Sequence, residues 1–282
     1  MGTTDTSSPF GHYALPPARE AIRFAARNSA GGRFGRWDIS LRRKRAIRGL
    51  SEPFDVTVAP GVNARLYPST NRCEKRALCG VQVWDAVERE ALRRAIEAHS
   101  DDAPFTFLDV GANVGLYSLF VHAYAREAGT PARIIAVEPN PEIADRLVFN
   151  AQASDAAFAH VRVAIASEPG EVFMHDGGNN RGEAAITEAE TSIRVRALPL
   201  ADLCAKLDMT RIHALKLDIE GHDVAALTDF FRDVPAALHP DMMILELSES
   251  TAAPLIALAK GHDYLLGGRT SMNAIFHKRD GS

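Results

Sequence analysis

From Phe105 onward the chain alternates short apolar segments with longer amphipathic ones, and this alternation restricts the fold more than any other feature. Strands are expected at 105–109, 133–138, 159–165, 212–219, 242–247, 262–266 and 272–277. Helices are expected near 114–127, 141–151, 199–207, 221–231 and 250–261. Strand, helix and next strand form a right-handed crossover, so the pattern predicts an α/β fold around a mostly parallel seven-stranded sheet. The last two strands are joined only around Gly267 and Gly268, too short a link for a helix. They are expected to pair antiparallel, leaving one reversed strand at or near the sheet edge. Extra strand-like pieces fall within 170–198. Ligands of such sheets bind beyond the carboxyl ends of the strands.

The chain before residue 100 has a different texture. Residues 1–16, rich in Ser, Thr, Gly and Pro, read as a mobile tail. A short amphipathic helix is expected over 17–28, a linker over 29–36 and a basic helix over 39–50. Phe54–Val58 and Ala64–Tyr67, joined by Pro60-Gly61, suggest a hairpin, and Trp84–His99 a helix with Val87, Leu92 and Ile96 on its apolar stripe. This divides the chain into a basic, partly helical extension (1–50), a cap of hairpin and helix (51–100) and a Rossmann-like domain (101–282).

Charge follows the same division. Residues 1–50 carry ten Lys and Arg against Asp5, Glu20 and Asp38, whereas the whole chain is formally −4, so the body is acidic. The run Arg42-Arg43-Lys44-Arg45 with Arg48 suits an anionic surface or a neighbouring acidic face of the same protein. Neither a secretory leader nor an apolar run long enough to span a bilayer stands out. Cys73, Cys79 and Cys204 have no metal-ligand spacing and make an odd set, which fits a reducing, cytoplasmic setting.

The first core strand ends in Phe107-Leu108-Asp109-Val110-Gly111-Ala112-Asn113-Val114-Gly115, an apolar strand, a small-residue turn and a helix start. Gly111 allows a sharp turn and close approach of a ligand, Gly115 close helix–strand packing, and the helix start offers free N–H groups to a carboxylate. The dinucleotide fingerprint needs glycines at 113 and 116, where Asn113 and Leu116 stand. Asp109 would also oppose a pyrophosphate, but suits a cationic ligand. The second strand ends in Glu138-Pro139-Asn140-Pro141; Glu138 is placed to accept from ribose hydroxyls, while Asn140 and Pro141 are good helix-start residues. The two ends together specify an adenosine-type ligand with a positively charged tail, as S-adenosylmethionine is.

The fourth strand carries Lys216, Asp218 and Glu220 on one face, with Gly221, His222 and Asp223 following. Such charges on a buried strand are costly unless paired or functional. His222 is the first candidate general base because imidazole titrates near neutrality, with Asp218 or Glu220 orienting it or serving instead. Asp218 and Glu246 at neighbouring strand ends offer ligands for Mg²⁺, which is possible but not expected here.

The segments FLDVGANVGLYS, AVEPNP, KLDIEGHD and LELSES resemble the FkbM-type methyltransferases over about residues 80–277. The resemblance implies a class I methyltransferase fold and methyl transfer from S-adenosylmethionine, commonly to a hydroxyl of a sugar, glycolipid or polyketide-like molecule. It also implies that Asp109, Gly111, Asn113, Gly115 and Glu138 contact the cofactor; Ala112, Pro139 and Asn140, in the same two turns, are further candidates for cofactor contact. Asp218, Glu220 and Gly221 would line the transfer site. Asp223 stands where the family has a second Glu, and Ala226-Leu227-Thr228-Asp229 continues a helix where a small-residue turn is usual.

The acceptor pocket is expected between these strand ends and the cap, closed by Tyr67, Asn71, Arg72, Trp84 and the loop 176–183. The competing readings are a nucleic-acid or nitrogen-directed methyltransferase, and an inactive S-adenosylmethionine-binding protein. An acidic body with its basic residues confined to one terminal segment argues against a nucleic-acid partner.

Overall fold

The computed structural model describes residues 4–175, 192–219 and 221–279. In chain order the elements are α1 (Pro17–Ala25), α2 (Gly32–Ile47), β1 (Phe54–Ala59), β2 (Val62–Leu66), α3 (Arg72–Leu78), α4 (Ala86–Glu97), β3 (Phe105–Val110), α5 (Leu116–Ala128), β4 (Ala132–Val137) and α6 (Pro141–Ala153). They continue with β5 (Ala159–Val161), β6 (Ala164–Ile165), β7 (Gly170–His175), β8 (Ser192–Leu198), α7 (Leu200–Lys206), β9 (Ala214–Leu217), α8 (Asp223–Asp233), β10 (Met242–Glu246), α9 (Ala252–Gly261), β11 (Tyr264–Arg269) and β12 (Asn273–Lys278).

The main sheet has seven strands in the order β11-β12-β10-β9-β3-β4-β5. Every pairing is parallel except those of β12, which runs against both neighbours and lies one place in from the edge. This is the class I methyltransferase arrangement, with its single reversed strand. The central strands β3 and β9 are buried along their whole length, which is why they read as nearly unbroken apolar runs. One apolar cluster fills one side of the sheet with residues of β1, β2, α4 and α5, such as Val56, Leu66, Leu92, Ile96 and Phe120. A second fills the other side with residues of α7, α8 and α9, such as Leu203, Leu227, Phe230 and Leu255.

Several local expectations need correction. The strand expected over 159–165 is two: β5 joins the main sheet, while β6 joins β7 and β8 in a separate three-stranded sheet. Helix α3 was not foreseen, although Asn71 caps it by accepting from the Cys73 and Glu74 N–H groups at 2.9 and 3.2 Å. The linker over 29–36 shrinks to its first residues, since α2 starts at Gly32. Val87 is 53% exposed, and the inward stripe of α4 is Glu88, Arg89, Leu92 and Ile96.

The expected mobile tail is docked from residue 4 onward. Arg65, 1% exposed, forms a two-pronged ion pair with Asp55 at 2.7 and 2.9 Å. Its remaining donors reach the carbonyls of Asp5, Ser8 and Pro9 at 2.9–3.0 Å. Asp55 Oδ2 in turn accepts from the Gly11 and Tyr13 N–H groups. A buried guanidinium needs all its donors met, and the Gly- and Ser-rich segment meets them with backbone oxygens. Composition reported its lack of apolar residues and said nothing of this demand.

Candidate active site

The parallel register stacks the chemistry in two layers at the carboxyl ends of the strands. Ala136, Asp109, Lys216, Ile244 and Ile275 are successive cross-strand neighbours and so share one level and one face. Two residues further along each chain, on the same face, come Glu138, Gly111, Asp218, Glu246 and, by the antiparallel register of β12, Asn273. Four of these five residues, Gly111, Asp218, Glu246 and Asn273, meet in one cleft, lined also by Asn113 and Lys216 among others, while Glu138 lies outside its lining. Its opposite wall comes from the N-terminal half of the chain: Asn71, Arg72, Arg76, Trp84 and Asp85.

The glycine turn is fixed by contact. A β-carbon on Gly111 would lie 1.9 Å from the carbonyl oxygen of Asp218, and its φ of +77° is in the left-handed region. Asn113 also has positive φ, and its side chain folds back to accept from the Val114 N–H at 2.8 Å. Gly115 lies against Leu147 of α6, its missing β-carbon 3.0 Å from Cγ.

A chain of hydrogen bonds runs from α3 to α6 through this turn. Asn71 Nδ2 donates to Asn113 Oδ1 at 2.7 Å. The Asn113 N–H donates to Glu138 Oε2, and the Asn140 N–H to Glu138 Oε1, both at 2.9 Å. Asn140 then caps α6 by accepting from the Glu142 and Ile143 N–H groups. Glu138 is buried, and this burial, only partly offset by the two backbone donors, pushes its carboxyl up to about 7.

Asp109 lies one layer lower and does not line the cleft. It is wholly buried, and its Oδ2 accepts from Ser118 N and Oγ at 3.2 and 2.7 Å. Its Oδ1 has no hydrogen-bond partner among the described residues. Burial pushes its pKa up, against the pull of Lys216 and Ser118.

Lys216 is the electrostatic centre. Its Nζ donates to Asp218 Oδ2 at 2.9 Å and sits 5.2 Å from the Tyr117 ring. Burial favours the neutral amine, but the Asp218 and Asp109 carboxylates win and hold the ammonium above its ordinary pKa. For Asp218, burial pushes upward, but the Lys216 charge and hydrogen bonds from Glu246 and Lys216 hold the carboxyl below its ordinary value. Tyr117 Oη donates to Asp85 Oδ2 at 3.0 Å across the cleft.

His222 is half-buried at the start of α8 and outside the cleft lining. Asp223 is buried and accepts from the Ile219 and Gly221 N–H groups, closing the loop after β9. Glu220 and the loop 176–183 lie outside the described residues. Of the residues expected to close the acceptor pocket, Asn71, Arg72 and Trp84 line the cleft. Tyr67 lies elsewhere, its hydroxyl accepting from the Asp5 N–H at 2.8 Å. Sequence reading missed Arg76, Asp85, Tyr117 and Asn273. The Asn71 cap would have exposed α3 and with it Arg76; the other three follow only from tertiary packing.

The residues at this site suit S-adenosylmethionine. Glu138 presents a carboxylate beyond β4, and the small-residue turn Gly111-Ala112-Asn113 after β3 lines the cleft with its backbone. With the sheet order, this defines a class I S-adenosylmethionine-dependent methyltransferase. The profile described as "Methyltransferase FkbM domain" matches residues 109–266, and the chain belongs to that family. Among relatives, it is 23% identical over 194 residues to "Hexuronic acid methyltransferase AglP" of Haloferax volcanii, a match covering 64% of this chain and 77% of that protein. Among solved structures, a SAM-dependent methyltransferase from Agrobacterium tumefaciens matches with a TM-score of 0.46 and 12% identity, covering 81% of this chain and 70% of the other. The M. jannaschii protein TYW2, in complex with AdoMet, matches with a TM-score of 0.40 and 11% identity, covering 82% and 89%. Among the described residues, no helix is long and apolar enough to cross a membrane.

Proposed function

We propose that the enzyme methylates an oxygen of a sugar or glycan acceptor. The observation that carries this reading is the upper layer of polar groups, Asp218, Glu246 and Asn273, facing the cleft beside Gly111 and Asn113. The Haloferax relative, a hexuronic acid methyltransferase, supports the same acceptor class. Glycolipids and polyketide-like molecules carry the same hydroxyl chemistry.

In this reading Glu138 accepts from the ribose hydroxyls, with Pro139 and Asn140 fixing the turn that presents it. Gly111, Ala112, Asn113 and Gly115 hold the methionine end through their backbone, and Asp109 supports them from below. S-adenosylmethionine supplies an electrophilic methyl group on its sulfonium. Asp218 is the group placed to take a hydroxyl proton, its carboxylate kept charged by Lys216, and alignment of the acceptor contributes the rest. His222 lies outside the lining, and this reading gives it no part in the transfer. Asp218 and Glu246 already have the Lys216 ammonium as counter-charge, so the reading assigns no role to Mg²⁺.

The test is release of S-adenosylhomocysteine from purified protein given S-adenosylmethionine and panels of hexuronic acids, neutral hexosides, nucleic acids and peptides. Turnover with the sugars alone is expected. Turnover confined to RNA or to peptide nitrogen would overturn the acceptor class.

A specific observation favours a peripheral membrane location. Phe34 is 87% exposed and Trp37 66% exposed, one helical turn apart on the same α2 that carries the basic run. Aromatic rings beside arginines suit the headgroup layer of an anionic bilayer on the cytoplasmic side, and the three cysteines, all unpaired, fit that reducing compartment. Co-sedimentation with phosphatidylglycerol vesicles is expected and should be lost on F34S/W37S; equal binding to neutral vesicles, or none to either, would overturn it.

A further inference from the structure

Beside the cleft lies a second cavity of about 350 Å³. The two share Arg76, Trp84, Asp85 and Met272 in their walls, so an acceptor reaching the cleft borders the second cavity as well. The outer wall of that cavity is one stripe of α2, Arg36, Ile39, Ser40 and Arg43, residues spaced at three, four and seven along the helix. Gly80 brings the stripe in close: a β-carbon there would meet Ile39 Cγ2 at 2.7 Å.

Three arginines therefore face this space, and their partners are poor. Arg43 donates to the Ser40 hydroxyl at 3.4 Å, and Arg76 to the Met272 thioether at 3.3 Å. Arg36 is exposed at the rim. None of the three has a carboxylate within ion-pair distance among the described residues, while Arg23, Arg65, Arg93, Arg146 and Arg232 all have one. Two acids also line the cavity, and both are engaged: Asp85 accepts from Tyr117, and Glu88 Oε1 accepts from Thr270 Oγ1 at 2.7 Å and Asn273 Nδ2 at 2.8 Å. Burial lowers the pKa of Arg43, as it does for a cation whose surroundings give little compensation. A guanidinium offers five donors, and half-buried arginines left on a hydroxyl and a thioether are built to receive an anion from outside.

We propose that this second cavity is an anion subsite for the acceptor: Arg43 and Arg76, with Arg36 at the rim, hold a carboxylate or phosphate group carried by the sugar whose hydroxyl lies in the cleft. This rests on the acceptor reading given above and sharpens it. In the cleft the Lys216 ammonium is already paired with Asp218 at 2.9 Å, whereas Arg43 and Arg76 have only a hydroxyl and a thioether, so an anionic substituent is drawn to the arginines. The acceptor is thereby oriented, negative group outward and neutral hydroxyl toward the methyl donor. No new covalent step is involved, since the subsite positions the acceptor and leaves the transfer unchanged.

The experiment titrates protein saturated with S-adenosylhomocysteine by calorimetry, using glucuronic acid, glucose 1-phosphate and glucose as probes. Failure to bind S-adenosylhomocysteine would sink the methyltransferase reading itself and is checked first. The expected result is at least tenfold tighter binding of one or both anionic probes than of glucose, and which one binds identifies the anion. Arg43→Ala and Arg76→Ala should each weaken the anionic probe about tenfold or more without changing S-adenosylhomocysteine affinity. Arg43→Lys should restore part of the loss, and Lys44→Ala, an exposed residue of the same helix outside both cavities, should have no effect. Equal affinity for glucose and the anionic probes overturns the proposal. So does an equal loss in the Lys44 variant, which would mean diffuse attraction to the basic helix. In a parallel turnover with S-adenosylmethionine as methyl donor, formation of a methyl ester on glucuronic acid would also overturn it, since the carboxylate would then lie in the cleft.

Discussion

Lys216 and Asp109 stand side by side in the parallel ladder, one on β9 and one on β3, at the last level before the sheet opens into the cleft. Lys216 is the shared cation of Asp109 and Asp218. Lys216→Met should cost about 3–5 kcal/mol, because it strands the buried Asp109 carboxylate and the half-buried one of Asp218. The sign with pH is definite. In the variant the folded state keeps protons on these acids that the unfolded chain has released, so its stability rises as pH falls. Urea unfolding at pH 8 and pH 5 should show the deficit shrinking at the lower pH; a constant deficit would locate the loss in packing instead.

Gly111→Ala places a methyl group 1.9 Å from the Asp218 carbonyl oxygen, at a φ that L-residues avoid. The conformation alone costs about 1–2 kcal/mol, and moving the β9 end adds to it. Thermal unfolding should drop by several degrees and S-adenosylhomocysteine binding should fall below detection. A variant that melts and binds like the parent would show that the turn relaxes freely.

The raised carboxyl of Glu138, about 7, gives a pH prediction with a clear direction. In the empty protein the group is protonated below that value, whereas the ribose hydroxyls donate to its charged form. Affinity for S-adenosylhomocysteine should therefore tighten as pH rises, up to about tenfold per unit below pH 7, and level off above it. Glu138→Gln should bind weakly and without this slope. The same shift means the unliganded fold loses up to about 3 kcal/mol from this group between pH 4.5 and 7, where the unfolded chain is ionised and the folded protein is not.

Asp218→Asn should lower kcat at least about a hundredfold while leaving S-adenosylhomocysteine affinity within a few-fold. His222→Ala should change kcat by no more than a few-fold. The reverse ranking in a turnover assay would return the proton-accepting role to the histidine.

Arg65→Met removes the clamp on residues 5–9 and leaves Asp55 uncompensated in the interior. A loss of about 3–5 kcal/mol is expected, with faster proteolytic cleavage before Leu15. Unchanged cleavage would mean the segment is held by other contacts.

How much of this was legible follows from how local each signal is. The sheet strands and the turn Asp109–Gly115 were readable because apolar runs, small residues and helix starts are written consecutively. Their assembly into two levels at the strand ends was partly readable, since a two-residue period puts Lys216 and Asp218 on one face whatever lies beside them. The docking of residues 4–15 was not, because it depends on the donors of one arginine fifty residues away. Nor was the place of His222: one residue separates the loop after β9 from the first turn of α8, and sequence alone does not say on which side of the cleft rim it falls. Arg76 escaped notice with α3, a seven-residue helix too short to display a period.

The amide pair Asn71–Asn113 has a practical consequence for ligand design. One member begins the helix that carries Arg76, and the other belongs to the loop proposed to hold the methionine end of the donor, so a 2.7 Å contact ties the proposed acceptor wall to the donor wall. A bisubstrate inhibitor linking adenosine to an anionic sugar must thread past this latch or replace it with an amide of its own, and linker chemistry there should govern potency more than linker length.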